Sequence, residues 1–537
     1  MILPDDLCAD LVFINGKIIT LDKNDGVYEA VSVKNNQILR VGGNDSVKET
    51  AGNKTRVVDL EGKTLLPGLI DSHMHPGGSW GAYLIRGVAC GPDFTSVDEM
   101  LKAIKKKIEV TPKGNWVLGY RMDDVKMGRY PTRQELDMVS PENPLYIQRR
   151  DGHNGVANSL ALEIAGITRD TPDPHHGKIE HDEKGEPNGL LRESAKDLVY
   201  HKMPPYSFDE FYMGLQIVFD ECVKLGLTSI HASMVGPTEF RAMQALKREG
   251  KLRIRVAVHL SGRDVGMVEG AIAAGIETPF GDDWLKITEA EWVFDTSTSG
   301  RTAAYYEPYV GEPDNTGILL YDQEDITERV WQTHRAGIRV GLDGVGDRGI
   351  DRSLDAIEAA LKRQPREDHR HRVEHCCYVT PSIQDRLLEL DVIDASATGF
   401  LHDLGDAYKQ NRGEEAMRYM WPHRSLIDRG IPAPGHSDAS ICDPNPWLGI
   451  YSMVTRKTSS GQVLYAPEGV TPVEAIKAYS IDGAYAAFEE DIKGTVEAGK
   501  LADLVVLDRD PTAIDPDDLN QVKALMTVID GKIVFEK

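Results

Sequence analysis

The sequence predicts an α/β protein that combines a (β/α)8, TIM-like barrel with a β-sandwich domain formed by both termini. Three observations predict this fold. Short β-branched runs occupy both ends of the chain, strands alternate with helical stretches between them, and the alternating part offers eight candidate parallel strands. A chain of 537 residues, of which 41% are hydrophobic, is long enough to build both parts.

Both ends of the chain are rich in predicted strands. The first part contains the β-branched runs DLVFINGKIITLD, AVSVKNNQILRVGG and TRVVDLEGKTLLPG, which are broken by Asn-Gly, Asn-Asn and Glu-Gly turn signals. The last part contains two similar stretches, GTVEAGKLADLVVLDRDP and ALMTVIDGKIVFEK. We therefore predict one β-sandwich domain from residues 1–65 and 490–537.

The central part, residues 66–489, has the alternation of strands and helices that is typical of parallel β/α units. The candidate strands are LLPGLIDSHMH, TSIHASM, RIRVAVHL, DWLKITEA, IRVGLDGVG, RVEHCCYV, DVIDASATG and IPAPGHSDAS. Eight strands are the number that a closed barrel requires. This count treats residues at about 90–205 as an insertion after the first barrel strand, because that stretch has strand-like runs of its own.

Composition restricts the partners of the protein. The formal net charge of −24 disfavours binding to nucleic acid or to an anionic membrane surface. No apolar run approaches the ~20 residues of a membrane span, and the start MILPDDLCADLVF lacks the basic residues of a secretory signal. The six cysteines are scattered without a CxxC pair, which is typical of reduced thiols. We expect a cytoplasmic protein with a small-molecule substrate.

Metal-ligand residue types stand where predicted barrel strands end. The first strand ends in His73-Met74-His75, and alternation along a strand places residues i and i+2 on one side, so both imidazoles can face one ion. A chance HxH pair is the alternative, because the chain contains 16 histidines. The catalytic groups of such barrels lie at the carboxyl ends of the strands.

Several motifs, in order along the chain, resemble one family. The run PGLIDSHMHP resembles the signature of the amidohydrolase superfamily, whose members are metal-dependent hydrolases on a (β/α)8 barrel with a β-sandwich made from both termini. The runs RRDGHNGVANSLAL, GEPNGLLRESA, VGDRGID, HRVEHC and GHSDASICDPNPWLGIYSMVTR are similar to amidohydrolase family 3, the branch that includes N-substituted formamide deformylases. The resemblance covers nearly the whole chain.

The resemblance implies a role for several residues. His73 and His75 would bind the first metal, and His375 would bind the second. Lys286 lies where family members carry a lysine that is carboxylated to bridge two metals; the alternative is an unmodified lysine paired with an acid such as Glu289. Asp438 would ligate the first metal and accept a proton from the bound water.

One departure from the family pattern concerns the fifth strand, where relatives place a histidine before Gly-Asp-Arg. The matching residue here is Asp343, and a carboxylate is still a usable oxygen ligand. It is harder than imidazole and would favour manganese or iron over zinc. The alternative is a weakened second site and a mononuclear enzyme. A second departure, at residues 395–400, leaves the identity of the substrate open.

Other residues are predicted to surround the metals. Asp347 and Arg348 would orient the ligands. Four residues are candidates for contacting substrate: His153, His231, Phe400 and Trp80. The alternative for His231 is a packed, hydrogen-bonded position. The alternative for Phe400 and Trp80 is packing in a lid.

Together these observations predict a metal-dependent hydrolase that cleaves an amide-type C–N bond of a small apolar or aromatic substrate through a metal-activated hydroxide. The cofactor would be one or two divalent ions per chain, zinc first, with manganese or iron as alternatives. We further expect a homo-oligomer, a dimer or a tetramer. Two other functions stay open: a metal-dependent lyase or decarboxylase on the same scaffold, and an inactive, metal-poor relative with a structural or regulatory role.

Overall fold

The computed structural model describes residues 7–91 and 94–537. Residues 1–6 of the predicted sandwich domain and residues 92–93 of the predicted insertion lie outside this range. The described chain contains 24 strands, β1–β24, and 18 α-helices, α1–α18.

Strands from both termini form two sheets. The N-terminal strands are β1 (Ala9–Ile14), β2 (Lys17–Ile19), β3 (Val27–Tyr28), β4 (Ala30–Lys34), β5 (Gln37–Gly42), β6 (Ala51–Asp59) and β7 (Thr64–Pro67), with helix α1 (Asn44–Lys48) after β5. The C-terminal strands are β22 (Leu504–Leu507), β23 (Ala524–Ile529) and β24 (Lys532–Glu536). The strand orders are β5-β4-β1-β6 and β24-β23-β22-β7-β2-β3. Apolar side chains of both sheets, including Phe13, Val33, Leu65 and Val506, belong to one buried cluster.

The central barrel has seven regular parallel strands. They are β8 (Leu69–Met74), β15 (Leu227–Val235), β16 (Arg255–Ser261), β18 (Leu285–Trp292), β19 (Val340–Gly344), β20 (Arg372–His375) and β21 (Ile393–Ser396). They are hydrogen-bonded in this order, and the short β17 (Phe280–Gly281) pairs antiparallel with β18. The predicted TIM-like barrel is therefore present.

Residues 432–438 take the place of the eighth predicted strand without forming a regular one. On one side, Asp394 N–H donates to Pro432 O at 3.1 Å and Ser396 N–H donates to Pro434 O at 2.9 Å. On the other side, Ser72 N–H donates to Gly435 O at 3.2 Å. Proline lacks an N–H group, so this segment cannot complete a strand ladder even though it closes the barrel between β21 and β8.

The segment between β8 and β15 carries a separate sheet. Its strands are β9 (Val88–Ala89), β10 (Val117–Met122), β11 (Leu145–Arg149), β12 (Asn154–Ala157), β13 (Gly177–His181) and β14 (Pro187–Glu193), in the order β13-β14-β12-β11-β10-β9. Its helices are α2 (Ala82–Arg86), α3 (Val97–Glu109), α4 (Asp124–Met127), α5 (Arg133–Val139), α6 (Ser159–Ala165) and α7 (Ser194–Tyr200). A π-helical turn over residues 77–81 connects β8 to α2.

Amphipathic helices follow the barrel strands. They are α8 (Phe208–Lys224), α9 (Pro237–Arg248), α10 (Met267–Ala273), α11 (Gln323–Arg335), α12 (Asp347–Arg363), α13 (Pro381–Leu390), α14 (Thr398–Arg412), α15 (His423–Arg429), α16 (Pro446–Thr455), α17 (Pro472–Ala478) and α18 (Ile481–Tyr485). In α8, for example, Ser207 and Glu210 form a capping box, and Leu215, Val218 and Phe219 are buried in the largest apolar cluster.

The described residues add two findings about the whole chain. Cys8, Cys90, Cys222, Cys376, Cys377 and Cys442 are all buried and none forms a disulfide. Among the helices in the described ranges, none combines the length and the apolar character that a membrane crossing demands.

Candidate metal centre

Imidazole and carboxylate side chains converge at the carboxyl ends of the barrel strands. The residues are His73 and His75 from the end of β8, His259 from β16, Glu291 from β18, Asp343 from β19, His375 from β20 and Asp438 from the closing segment. Parallel strands bring their carboxyl ends to one edge, so residues far apart in sequence meet there.

The histidine pair and Asp438 form the first group with metal-ligand geometry. Asp438 Oδ1 lies 3.0 Å from His75 Nε2 and 3.5 Å from His73 Nε2. Asp438 also donates its backbone N–H to His73 O at 3.0 Å, and its φ of 53° is a left-handed value that is rare for a residue other than glycine. The seam that closes the barrel thus sets the position of this carboxylate.

Glu374 fixes the tautomer of His73. Its Oε2 lies 2.7 Å from His73 Nδ1, and a carboxylate only accepts, so Nδ1 carries the proton and Nε2 presents a lone pair. Arg372 holds Glu374 in turn, with contacts of 2.6 and 2.7 Å to its two oxygens. Burial, together with the charge of His375, lowers the pKa of His73 well below its usual value, so its imidazole is neutral, the form in which it binds metals.

Glu291 completes a second group with His73 and His259. Glu291 Oε1 lies 3.9 Å from His73 Nε2, and Oε2 lies 3.0 Å from His259 Nδ1. Ser233 Oγ donates to this carboxylate at 2.7 Å. Burial and the nearby Asp343 raise the pKa of Glu291 well above its usual value, which is the behaviour of a carboxylate gathered with other acids without a cation.

Asp343 and His375 lie beside these groups. His375 Nε2 is 3.8 Å from Asp343 Oδ2, and the His375 ring stacks on Phe400 with centroids 5.4 Å apart. Burial lowers the pKa of His375, but the neighbouring carboxylates of Asp343 and Asp438 outweigh it and raise the value to about 9. The φ of His375, 68°, is also left-handed. Backbone strain of this kind concentrates at functional sites.

The donor set fits a divalent cation. His73 Nε2, His259 Nε2 and Asp438 Oδ1 are buried without a hydrogen-bond partner among the described residues. Leaving such atoms unpaired is costly, whereas imidazole nitrogens and carboxylate oxygens are the ordinary ligands of zinc and related ions. A third group of candidate ligands consists of His259, Glu289 and Glu374. It differs from the first two groups because its acids contact arginines. Arg339 lies 2.8 Å from Glu289, and Arg372 holds Glu374.

A cavity of about 520 Å³ opens onto these residues. Its wall includes His75, Asp343, His375 and Asp438 from the barrel. Other lining residues come from the segment between β8 and β15: Tyr83, Gln148, His153, Lys196, Tyr200 and Tyr206. The volume is in the range of small-molecule sites, about 300–1,000 Å³.

The structure corrects the prediction for Lys286. This residue lies near the beginning of β18 rather than at its carboxyl end, and its Nζ pairs with Glu489 at 2.7 Å. The register between β16 and β18 shifts after Ile287, and Glu291, further along the strand, reaches the site instead. Carboxylation of Lys286 therefore finds no support in this geometry.

Four further predictions need correction. Trp80 is 8% exposed and packs in the largest apolar cluster rather than along the cavity. His231 lies inside the barrel, with Nδ1 3.1 Å from an Arg372 nitrogen, as its alternative packed position predicted. Asp347 accepts from Tyr306 N–H at 3.0 Å, and Arg348 donates to the carbonyls of residues 316 and 317 at 3.0 Å. Both therefore anchor the loop after β18 and do not orient the ligands.

The positions of the other predicted residues agree better with the expectations. His153 lies in the wall of the cavity, and Phe400 lines a smaller recess of about 30 Å³ beside His375.

Sequence reasoning missed Glu291, His259 as a ligand candidate and Glu374. All three stand at ends of predicted strands, in EAEW, VAVHL and RVEHC, where an acid or imidazole among apolar residues was the available signal.

Asp295 was also missed. This buried residue follows β18 and accepts hydrogen bonds from Val345 N–H and Gly346 N–H, each at 2.8 Å. Its own N–H donates to Asp343 O at 3.1 Å. Asp295 thus fixes the end of β19, where Asp343 lies, which is the positioning task that the sequence assigned to Asp347 and Arg348.

Comparison with known proteins identifies the family of this chain. The model of the Amidohydro_3 group, described as an amidohydrolase family, matches residues 56–535. The chain is 30% identical to an N-substituted formamide deformylase of Arthrobacter pascens over 98% of each chain, and 31% identical to the putative amidohydrolase YtcJ of Bacillus subtilis over 98% of this chain and 99% of the other.

A solved structure shares the fold. The crystal structure of an uncharacterized metal-dependent hydrolase from Pyrococcus horikoshii superposes with a TM-score of 0.77 at 23% identity, over 94% of this chain and 99% of that one. The family match extends over most of the sequence, including every candidate ligand. This chain is a hydrolase that acts on C–N bonds and belongs to the metal-dependent amidohydrolase family.

Proposed function

We propose that the protein hydrolyses an amide-type C–N bond of a small molecule, using at least one divalent metal ion held at the carboxyl edge of the barrel. One observation carries this proposal. The neutral His73 Nε2 and the Asp438 Oδ1 are buried 3.5 Å apart without hydrogen-bond partners among the described residues, and the cavity wall includes Asp438. An unpaired lone pair next to an unpaired carboxylate oxygen is an arrangement that a cation stabilises.

His73, His75, Asp438 and Glu291 would hold the first ion. Two imidazoles and two carboxylates suit zinc, with manganese or iron as alternatives because half of the donors are hard oxygens. Asp343 and His375 would contribute to a second ion. The contacts of Glu374 to His73 and of Ser233 to Glu291 support the first set, because metal ligands are oriented by such hydrogen bonds.

Asp438 would move the proton in the reaction. When bound, a divalent ion lowers the pKa of water to about 7 and so supplies a nucleophile at neutral pH. Burial raises the pKa of Asp438, but the neighbouring imidazoles of His75 and His375 outweigh it and hold the pKa below its usual value, so the carboxyl is ionised and can accept a proton. Water oxygen then bonds to the carbonyl carbon, the C–N bond breaks, and Asp438 passes the proton to the leaving nitrogen. The products are an acid and an amine.

For the substrate we propose a small amide with an apolar or aromatic substituent. Three tyrosines, Tyr83, Tyr200 and Tyr206, line the cavity together with the barrel residues. Aromatic side chains bind aromatic rings by stacked or edge-to-face contacts. The relative from Arthrobacter pascens is named an N-substituted formamide deformylase, so N-aryl and N-alkyl formamides are the first compounds to test.

The experiment combines metal analysis with product analysis. Protein expressed with added zinc, manganese or iron is assayed for metal per chain and incubated with formanilide, N-benzylformamide and the matching acetamides. We expect at least one metal per chain and release of formate and amine. In H2 18O the label must enter the carboxylate product, whereas a decarboxylase would leave it in solvent.

Protein that binds no metal after supplementation, or that releases amine from none of the amides, overturns the proposal. Metal-edge anomalous diffraction gives the number of ions and shows whether Asp343 and His375 hold one. The lyase and the metal-poor alternatives are not favoured by the family and its relatives.

We also propose that the two terminal sheets form the predicted β-sandwich domain, residues 1–65 and 490–537, beside a barrel domain of residues 66–489 with the insertion at about 90–205. The apolar cluster shared by both sheets supports this division. Five buried cysteines that form no disulfide, Cys90, Cys222, Cys376, Cys377 and Cys442, support a reducing, cytoplasm-like compartment. The predicted homo-oligomer stays a prediction, which size-exclusion chromatography with light scattering would test.

A further inference from the structure

Two basic side chains line the cavity that contains the candidate metal ligands. Lys196 belongs to α7, in the segment between the first two barrel strands, and Arg263 follows barrel strand β16. The two residues therefore come from different parts of the fold and meet at one cavity. Tyr200 lines the same cavity four residues after Lys196, so α7 contributes both an ammonium group and an aromatic ring to the wall.

The ammonium group of Lys196 is bound only by the backbone. Its Nζ donates a hydrogen bond to Gly152 O, in the loop that follows β11. An ammonium group has three N–H donors, and within the described residues Lys196 makes no other hydrogen bond. The carbonyl fixes the position of Nζ but supplies no negative charge. A half-buried ammonium group without a counter-ion is energetically costly.

Arg263 repels Lys196 and has no acidic partner of its own. Its side chain is exposed, and none of the hydrogen bonds or ion pairs in the described part of the chain involves its guanidinium group. Burial lowers the pKa of Lys196, and Arg263 is the neighbouring charge that lowers it most, while Glu193 and Asp197 act in the opposite direction. Two cations that repel each other at one cavity are both stabilised by an anion bound between them.

The acids of the cavity wall leave both cations unpaired. These acids are Asp151, Asp197, Glu239, Asp264, Asp343 and Asp438. As far as the structure describes the chain, none of their oxygens lies within 4.0 Å of a side-chain nitrogen of Lys196 or Arg263. Asp151 already pairs with Arg149 at 2.6 Å. Burial raises the pKa of Glu239 to about 8, so its carboxyl is protonated at neutral pH. The wall therefore offers two cationic groups to a negatively charged ligand.

We propose that Lys196 and Arg263 bind a carboxylate group of the substrate, so that the preferred substrates are amides whose apolar or aromatic part carries a carboxylate. The proposal rests on the proposed amide hydrolysis and narrows its substrate class. Ammonium and guanidinium groups form charge-assisted hydrogen bonds with a carboxylate, and a guanidinium can contact both oxygens. The two cations would hold the carboxylate while the amide lies at the candidate metal ligands, and the tyrosine rings would contact the apolar part.

Matched amides with and without a carboxylate test the proposal. N-Formylphenylalanine, as each enantiomer, is compared with N-(2-phenylethyl)formamide, which has the same skeleton without the carboxylate. 4-Formamidobenzoate is compared with formanilide in the same way. For the native, metal-loaded enzyme we expect kcat/KM to be about 10–100-fold higher for at least one carboxylate than for its neutral counterpart, which is the range of a hydrogen bond to a charged group.

Removing either cation should reduce this preference. In Lys196→Met and in Arg263→Met we expect the ratio of the two kcat/KM values to fall about 10-fold or more. Arg263→Lys keeps the positive charge and should retain most of the preference. The matched control is Lys202→Met, at an exposed lysine that follows α7 and does not line the cavity, and it should leave the ratio within about twofold. Metal content and circular dichroism are measured on every variant.

Binding of 3-phenylpropanoate and of the neutral 3-phenylpropan-1-ol gives a readout that needs no turnover. We expect native protein to bind the anion more tightly than the alcohol, and each Met variant to lose about 10-fold or more of the affinity for the anion.

Two results would overturn the proposal. One is a carboxylate that binds native protein and both Met variants equally, because it would then bind at the metal alone. The other is a native enzyme that hydrolyses neutral amides as well as their carboxylate counterparts. If the native enzyme hydrolyses no amide, the proposed function fails, and the binding comparison still decides whether Lys196 and Arg263 hold a carboxylate.

Discussion

Two layers of the barrel interior contain similar residues but balance their charges differently. The layer at the carboxyl edge, here called the metal layer, consists of His73, His75, Glu291 and Asp438. The layer nearer the amino ends of the strands, the ion-pair layer, consists of Glu289, Glu374, Arg339 and Arg372. Both layers are rich in buried acids, but only the second contains its own cations.

This difference shows why candidate ligands alone do not identify a metal site. The candidate ligand atoms of His259, Glu289 and Glu374 lie within 4.8 Å of one another, as do those of His73, His75 and Asp438. The arginine contacts of 2.8 Å to Glu289 and 2.6 Å to Glu374 already neutralise these acids. In the metal layer, the described residues include no such partner for Asp438 Oδ1 or His73 Nε2. The layer without a built-in cation is the one that requires an ion.

Replacing the carboxylate of the metal layer should have the largest effect. Asp438→Asn removes the proton acceptor and one ligand charge, and we expect kcat to fall by about 10²–10⁴-fold, the contribution typical of a general base. The control is Asp428→Asn, an exposed acid that pairs with Arg424. The measurement is kcat with metal content determined on the same sample. Turnover near the native value would remove Asp438 from the mechanism.

The ion-pair layer should respond in stability rather than in chemistry. Arg372→Met leaves the buried carboxylate of Glu374 without its cation, and we expect the free energy of unfolding to fall by about 3–5 kcal/mol. Lys113→Met, which breaks the exposed pair with Glu142, should change it by about 0–1 kcal/mol. Urea denaturation measures both. Equal effects of the two substitutions would contradict the role assigned to this layer.

Glu374 connects the two layers, so its substitution should weaken metal binding. In Glu374→Gln the amide can donate to His73 Nδ1, which favours the wrong tautomer, and we expect about 10–100-fold lower metal affinity. Glu289→Gln, in the same layer but with no contact to the His73 ring in the described structure, is the matched control. Competition with a chromophoric chelator gives both affinities. An equal loss in both variants would show that charge, rather than tautomer, is what Glu374 supplies.

A third set of residues, at the amino ends of the strands, is neutral. His334 Nδ1 lies 2.8 Å from His371 Nε2, and His371 Nδ1 accepts from Val340 N–H at 3.1 Å. The second bond fixes His371 Nδ1 as an acceptor, so Nε2 carries the proton and donates to His334. Burial lowers the pKa of both imidazoles, and the charge of His369 lowers that of His371 further.

Acid should therefore destabilise the fold through these histidines. In the unfolded chain these histidines bind protons with a pKa of about 6.5, and in the folded chain their pKa is lower. Their contribution to the free energy of unfolding is therefore fully present above this pH and is lost as the pH falls below it. Each histidine contributes a slope of at most about 1.4 kcal/mol per pH unit. The urea midpoint is measured at several pH values between 7.5 and 5.5. It should depend less steeply on pH in His371→Asn than in His201→Asn, the control variant at an exposed histidine. Identical slopes would exclude His371 as a source of the acid sensitivity.

The smallest effect is expected at Lys286. Lys286→Gln should leave metal content and kcat within about twofold of native values, because the side chain pairs with Glu489 away from the metal layer. Glu291→Gln is the informative counterpart and should reduce metal content. A metal-free Lys286→Gln protein would restore the lysine as a ligand.

Local sequence patterns predicted much of the fold. The carboxyl ends of parallel strands in a barrel share one edge, and this rule located candidate site residues. The strand-end rule found His73 and His75 in the sequence, whereas Asp438 and Lys286 came from the family resemblance. Lys286 is the second residue of β18, far from its carboxyl end, and strand boundaries predicted from sequence are too uncertain to show this. The strand-end rule missed Glu374, whose role depends on a contact with His73 across 301 positions of the chain. Trp80 was misplaced since nothing local distinguishes an aromatic residue that covers a cavity from one that packs beneath it.

The closing segment has a consequence for how the enzyme becomes active. Asp71 accepts from Ser437 Oγ at 2.6 Å, and the two residues are separated by 366 positions. This clamp joins the first barrel strand to the last segment, beside His73 and Asp438. During synthesis, most of the polypeptide must therefore be made before Asp438 can contact His73 and His75. The growing chain has no assembled active site until its barrel is closed.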